Sequence, residues 1–283
     1  MRDYLELTKP RITVLILICT AVGYLFGCRN SLRVVMLFHV LLGTALMASG
    51  TSALNQWYEV DSDARMRRTR ERPLPAGRLK RRHGLLFGVL LSAAGFAELW
   101  LGTNLLAALL GLFTLLSYLL VYTPLKRRST LCTTVGALPG AMPPLIGFAA
   151  ASGVLDARAL ALFLILFVWQ FPHFYAIAWM YREDYARGGI RMLPVIEPDG
   201  QSTAERIVAC SMLLIPISLF PCLLGMTGPF YATAAVVAGL GFVSFGVRLK
   251  RERTVARARR VLFGSVLYLP LLLAVMVIDR RGI

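Results

Sequence analysis

Charge is what this sequence has least of. Asp, Glu, Lys and Arg make up 16% of its 283 residues, whereas soluble domains carry nearer a quarter. Negative charge is the scarcer half, with 15 carboxylates against 31 Lys and Arg and a net charge of +16. The five cysteines (Cys19, Cys28, Cys132, Cys210, Cys222) have no CxxC spacing and lie in or beside apolar stretches. That argues against a disulfide or metal framework. There is no P-loop and no GxGxxG ahead of a helix, so a nucleoside-triphosphate reading lacks its motif. The glycine-rich signature of the membrane alcohol phosphotransferases is missing too. At the N-terminus, MRDYLELTKPRI has neither a cleavable signal design nor an Arg- and Ser-rich transit extension.

What is present in quantity is apolar surface. Apolar residues make up 57% of the chain, and the mean hydropathy is +0.65. Nine predominantly apolar windows recur, at 12–27, 34–58, 84–102, 104–123, 132–153, 158–181, 205–226, 228–247 and 261–278. Each is long enough to cross a hydrocarbon core. Such spans must be helical, because lipid offers no partner to an open backbone group. The expectation is an all-α polytopic membrane protein, one transmembrane domain over residues 1–283. The run GALPGAMPPLIG (136–147) should bend or break the fifth span, since proline removes a backbone donor and clashes with the preceding turn. Irregular backbone at that depth suits a cavity wall.

The positions of the cations explain most of the basicity. They cluster before span one and after spans two, four, six and eight. The other connections are poor, with Arg29 and Arg33 in the first and Arg158 alone in another. Short positive loops stay cytoplasmic. The N-terminus and the polar loops are therefore expected inside, the C-terminus in the periplasm, and the address is a bacterial inner membrane. Nucleic acid is not the partner that this charge pattern implies.

Asn55, Glu59 and Asp63 step by four, which puts an amide and two carboxylates on one helical face. Such hard oxygens suit Mg²⁺, which takes one or two carboxylates plus substrate phosphates. Arg68 and Arg72 fall near the same side of a continued helix and are placed to take phosphate oxygens. An interfacial helix end with solvated charges would show the same spacing. Further on, WQFPHFYAIAWMYREDYARGGIRMLP (169–194) sets Gln170 and His173 inside a span, with Glu183 and Asp184 just past it. Polar groups at that depth are costly and mark function by default. YTPLKRR (122–128) adds Tyr122 and Lys126. A nine-span carrier with buried polar groups is the competing class, but it predicts matched halves with corresponding helix breaks.

YLELTKPRI (4–12), NQWYEVDSDARMRRTRERPLP (55–75), YTPLKRRSTLCTTVGALPGAMPPLIG (122–147) and WQFPHFYAIAWMYREDYARGGIRMLPV (169–195) together carry a resemblance. The chain resembles the UbiA superfamily of intramembrane prenyltransferases, and within it the haem-directed branch. The resemblance implies nine helices around a central cavity, Mg²⁺ as cofactor, and farnesyl diphosphate and haem b as substrates within membrane lipid. Haem A synthase or oxidase assembly proteins are the candidate protein partners. It implies a metal set of Asn55, Glu59, Asp63, Glu183 and Asp184, with His173 serving the acceptor. Arg11, Arg68, Arg72, Tyr122 and Lys126 are the implied substrate-binding set. Glu59 stands where the family usually has Asp, and the second acidic box lacks a clean DxxxD.

Overall fold

The computed structural model describes residues 1–28 and 32–281, so Arg29 lies outside the described residues. Nine helices among them are long and apolar enough to span a membrane. They are α1 (Pro10–Gly27), α2 (Val34–Tyr58), α3 (Arg81–Gly102), α4 (Leu105–Leu125), α5 (Cys132–Ser152), α6 (Ala157–Met180), α7 (Gln201–Leu223), α8 (Pro229–Arg251) and α9 (Val255–Ile278). The expected all-α architecture is what forms. Large apolar side chains such as Val35, Leu101 and Leu223 are 72%, 81% and 78% exposed. A monomeric soluble surface does not carry such a belt; a lipid-facing one does.

Packing divides the bundle into two groups. In the first, α1 lies along α5 and α2 along α3, with α4 closing against α3 and α5. In the second, α6 packs on α7 and α9, and α8 bridges those two. The α1–α5 crossing depends on small residues, as close helix contacts in lipid generally do. A Cβ on Gly147 would lie 1.9 Å from the Thr20 carbonyl oxygen, and one on Gly23 would lie 2.1 Å from that of Pro144.

The expected break in α5 is present. The helix runs as Cys132–Gly140 and Met142–Ser152, and the two halves meet at Ala141. Gln170 of α6 seals the joint by donating to the Ala137 carbonyl at 3.1 Å. Its amide oxygen leaves no room for a side chain at position 140, where a Cβ would approach it to 1.9 Å.

Two polar connections share one end of the bundle, residues 59–80 after α2 and 181–200 after α6. They grip each other. Arg65 donates to the Gly188 carbonyl at 3.3 Å, and Asp184 accepts from the backbone N–H groups of Arg67 and Arg68. Near the opposite end, His39 of α2 meets Glu98 of α3 at 2.7 Å. An acidic residue inside the third apolar window supplies its partner.

Candidate active site

The α2 helix ends at Tyr58, and a single helical turn, Val60–Asp63, follows it. The backbone ladder nevertheless continues across the joint, with Glu59 N–H bonded to the Asn55 carbonyl and Asp63 N–H to that of Glu59. The face predicted from four-residue spacing therefore survives. Asn55, Glu59 and Asp63 are 3%, 8% and 1% exposed, which argues against a solvated helix end.

Each member has a defined partner. The Asn55 amide donates to Glu59 at 2.9 Å and to the Thr123 hydroxyl at 3.3 Å. The Lys126 ammonium donates to both Glu59 oxygens at 3.0 Å. Arg72 donates to Asp63 at 2.7 Å. Lys126 reaches Glu59 from just past the end of α4, one turn after a widened stretch, Ser117–Tyr122, that is π-helical. Such insertions are frequent at functional sites. Here the turn brings the rings of Tyr122 and Tyr118 to 4.5 and 5.8 Å from the ammonium. The rings offer it cation–π contacts.

The electrostatics follow from burial and neighbours. Burial raises the Glu59 carboxyl, but Lys126, Asn55 and the Lys9 charge more than reverse that, so its pKa lies below the usual glutamate value. Burial works against the Lys126 charge, and Tyr122, Glu59 and Tyr118 outweigh it, so its pKa lies well above the ordinary value. The two shifts agree on an ion pair.

The second acidic box divides. Asp184 is buried in the short helix Arg182–Arg187 and accepts from Arg67 N–H at 3.0 Å, Arg68 N–H at 3.1 Å and the Arg187 guanidinium. Burial raises its carboxyl, and Arg187 with the two amides brings the pKa below the ordinary aspartate value. Glu183 is exposed and has no hydrogen bond among the described residues, so the structure does not bring this expected metal ligand to the site. Arg68 and Arg72 do not share a helical side, because residues 64–80 form turns rather than helix. Arg72 goes to Asp63, while the Arg68 guanidinium lies 5.2 Å from the Tyr181 ring and 6.0 Å from that of Tyr185.

Arg11 is exposed and has no ion pair among the described residues. Lys9, one of the cations ahead of span one, lies near enough to feel the charges of Glu59, Asp63, Arg72 and Lys126. It caps α1 ahead of Pro10, in a left-handed conformation at φ 49°. Burial, then the Arg72 and Lys126 charges, push its ammonium down to about 7, against the pull of Glu59 and Asp63. The LysPro pair at the head of the first span was the available signal. His173 lies deeper in α6, eight residues before Tyr181, or about 12 Å along the axis. Steps of four through Ile177 join the two positions on one stripe.

The donor set fits magnesium. Asn55, Glu59 and Asp63 offer only hard oxygens, and among the described residues no group of three His, Cys, Asp or Glu side chains converges enough to hold a metal by itself. Two carboxylates and an amide suit an ion that arrives with its diphosphate and waters.

The profile of the UbiA prenyltransferase family matches residues 16–268. The chain is 58% identical to the protoheme IX farnesyltransferase of Solibacter usitatus, over 100% of both proteins. It is 49% identical to that of Koribacter versatilis, over 99% of this chain and 94% of the other. Two solved structures share the fold. A digeranylgeranylglyceryl phosphate synthase superposes with a TM-score of 0.81 at 18% identity, covering 98% of this chain and 97% of the other. A UbiA homolog from Archaeoglobus fulgidus bound to DMAPP and Mg²⁺ superposes with a TM-score of 0.71 at 16% identity, covering 98% and 99%.

Proposed function

This chain belongs to the UbiA prenyltransferase family, and we propose that within it the protein transfers the farnesyl group of farnesyl diphosphate to a vinyl group of haem b, with addition of water, giving haem O. One observation carries the reading. Three buried oxygen-bearing side chains at four-residue spacing, Asn55, Glu59 and Asp63, meet Lys126 and Arg72 at one end of an apolar bundle. Opposite charges held that close suit a ligand that brings metal to the acids and phosphate to the bases. The full-length likeness to proteins named protoheme IX farnesyltransferase supports haem as acceptor.

The farnesyl tail enters the apolar bundle, and its diphosphate stays with the polar end. Asn55, Glu59 and Asp63 would hold Mg²⁺. When bound, the ion supplies Lewis-acid stabilisation of the diphosphate leaving group. Lys126 and Arg72 leave the carboxylates for phosphate oxygens, and Lys9 and Arg68 add charge from α1 and the 59–80 connection. These cations stand in place before the allylic C–O bond breaks, so little reorganisation accompanies charge development. The bond's electron pair leaves with diphosphate. The lipid-enclosed wall keeps water from the allylic centre until the vinyl group meets it. The farnesyl carbon and a hydroxyl from water then add across the vinyl double bond, with release of a proton.

Asp184 organises the site by tying the two polar connections together, and His173 serves the haem side of the same stripe. The reading gives one catalytic unit in a bacterial inner membrane, with the site facing the cytoplasm and the C-terminus the periplasm. Haem A synthase or oxidase assembly proteins would take up the product. Purified protein incubated with farnesyl diphosphate, Mg²⁺ and either haem b or an aromatic quinone precursor tests the acceptor. Farnesylation of haem alone is expected, and farnesylation of the aromatic acid alone overturns the assignment.

A further inference from the structure

Trp169 and His173 stand one turn apart on α6, and both grip a single residue of α9. The Trp169 indole N–H donates to the Ser265 carbonyl at 2.9 Å. The His173 Nδ1 lies 2.8 Å from the Ser265 hydroxyl oxygen. The two rings stack, with centroids 4.9 Å apart and 25° between their planes. The imidazole is thereby fixed in both position and rotation.

The Ser265 hydroxyl has one proton to give. Its oxygen lies 2.6 Å from the Leu262 carbonyl oxygen in the preceding turn of α9, and a carbonyl can only accept. Two oxygens that close need the proton between them, so the Ser265 proton is committed to Leu262. The contact with His173 then has only one polarity: Nδ1–H donates, and the hydroxyl oxygen accepts. No carboxylate is hydrogen-bonded to the ring among the described residues. In the neutral imidazole a proton on Nδ1 leaves Nε2 with a bare lone pair. Nε2 has no hydrogen-bond partner among the described residues, and the residue is partly exposed rather than sealed.

We propose that Ser265 is a positioning residue that fixes His173 as its Nδ1-protonated tautomer and so presents Nε2 to the iron of the porphyrin acceptor. The second half of this statement rests on the haem reading given above; the first half does not. Imidazole is a usual iron ligand, and ligating histidines as a rule donate their other N–H to a partner that fixes ring and tautomer. Ser265 is that partner here. Position 173 stands about 12 Å along α6 from Tyr181, so the imidazole is set apart from the diphosphate end.

The test uses the full chain, labelled with ¹⁵N-histidine in lipid nanodiscs without haem, with His173→Ala assigning the signal. Nitrogen shifts of the parent protein should report a proton on Nδ1 and none on Nε2. Ser265→Ala should move His173 towards the other tautomer or a mixture, and Ser265→Thr, which keeps a hydroxyl, should restore the parent pattern. A proton on Nε2 in the parent, or an unchanged tautomer in Ser265→Ala, overturns the proposal. Haem b titrated into the same samples should give an imidazole-ligated spectrum in the parent. Ser265→Ala should weaken haem affinity by roughly 10- to 100-fold, as loss of such partners does, with the affinity for farnesyl diphosphate and Mg²⁺ unchanged. The parent tautomer with no haem binding would refute the acceptor assignment while leaving the Ser265 assignment standing.

Discussion

The ammonium of Lys126 lies 3.0 Å from each carboxylate oxygen of Glu59, across 67 residues of sequence and with both side chains about nine-tenths buried. A pair so enclosed is costly to break from one side, on the order of 3–5 kcal/mol. Lys126→Met should therefore lower the unfolding temperature in detergent and abolish turnover. Adding Glu59→Gln should recover most of the lost stability and none of the activity. Recovery of both would reduce the pair to a structural contact.

Asp63 separates metal binding from folding. Arg72 is its charged partner at 2.7 Å, and Arg72 remains partly exposed and can turn to solvent. Asp63→Ala is expected to insert and fold but to lose farnesyl transfer, and EDTA should inhibit the parent reversibly on Mg²⁺ addition. Full activity in a metal-free assay would exclude the magnesium role.

Not every arginine matters equally. Arg68 stacks over Tyr181 beside the site, whereas Arg257 pairs with Glu252 in the connection between α8 and α9. Arg68→Gln should raise the KM for farnesyl diphosphate or lower kcat. Arg251→Gln with Arg257→Gln should do neither while topology is kept. Equal losses from both would return Arg68 to the solvated, topological class.

Lys9 should show opposed effects on stability and activity. A lysine whose folded pKa is depressed to about 7 binds fewer protons folded than unfolded between that value and 10.5. Stability should rise with pH through that window, and the penalty stands in full below about 7. Lys9→Met is expected to melt above the parent at pH 6, with the gap closing towards pH 10.5. Its turnover should fall most at and below about pH 7, where Lys9 is charged and a cation is lost from the diphosphate end. A Lys9→Met protein less stable than the parent at pH 6 would contradict this.

These residues also show what the sequence could and could not carry. The spans were legible because length and apolarity alone decide them, and the face of Asn55, Glu59 and Asp63 because its backbone ladder runs on past the helix end. Arg11, the N-terminal cation that the resemblance implies, is exposed and without an ion pair among the described residues. Two residues along a helix turn a side chain through about 200°, and it is the left-handed Lys9, just before the helix, that feels the charges of Glu59 and Asp63. Glu183 and Asp184 are about 100° apart, and α6 ends at Met180 before they begin, so the phase of their helix was not set by the span before it. The Arg68 and Arg72 pairing failed where the helix gave way to turns. Ser265 could not be found from spacing, since its importance comes from α9 meeting α6, 92 residues apart.

The central claim is most directly tested by incubating the purified protein with farnesyl diphosphate, Mg²⁺ and haem b in ¹⁸O-water and reading the porphyrin product by mass. The account predicts a haem that gains one farnesyl group and one ¹⁸O-hydroxyl in the parent protein, with neither gain in Asp63→Ala. A haem left unmodified by the folded, metal-loaded parent protein, or one modified equally by Asp63→Ala, would contradict it.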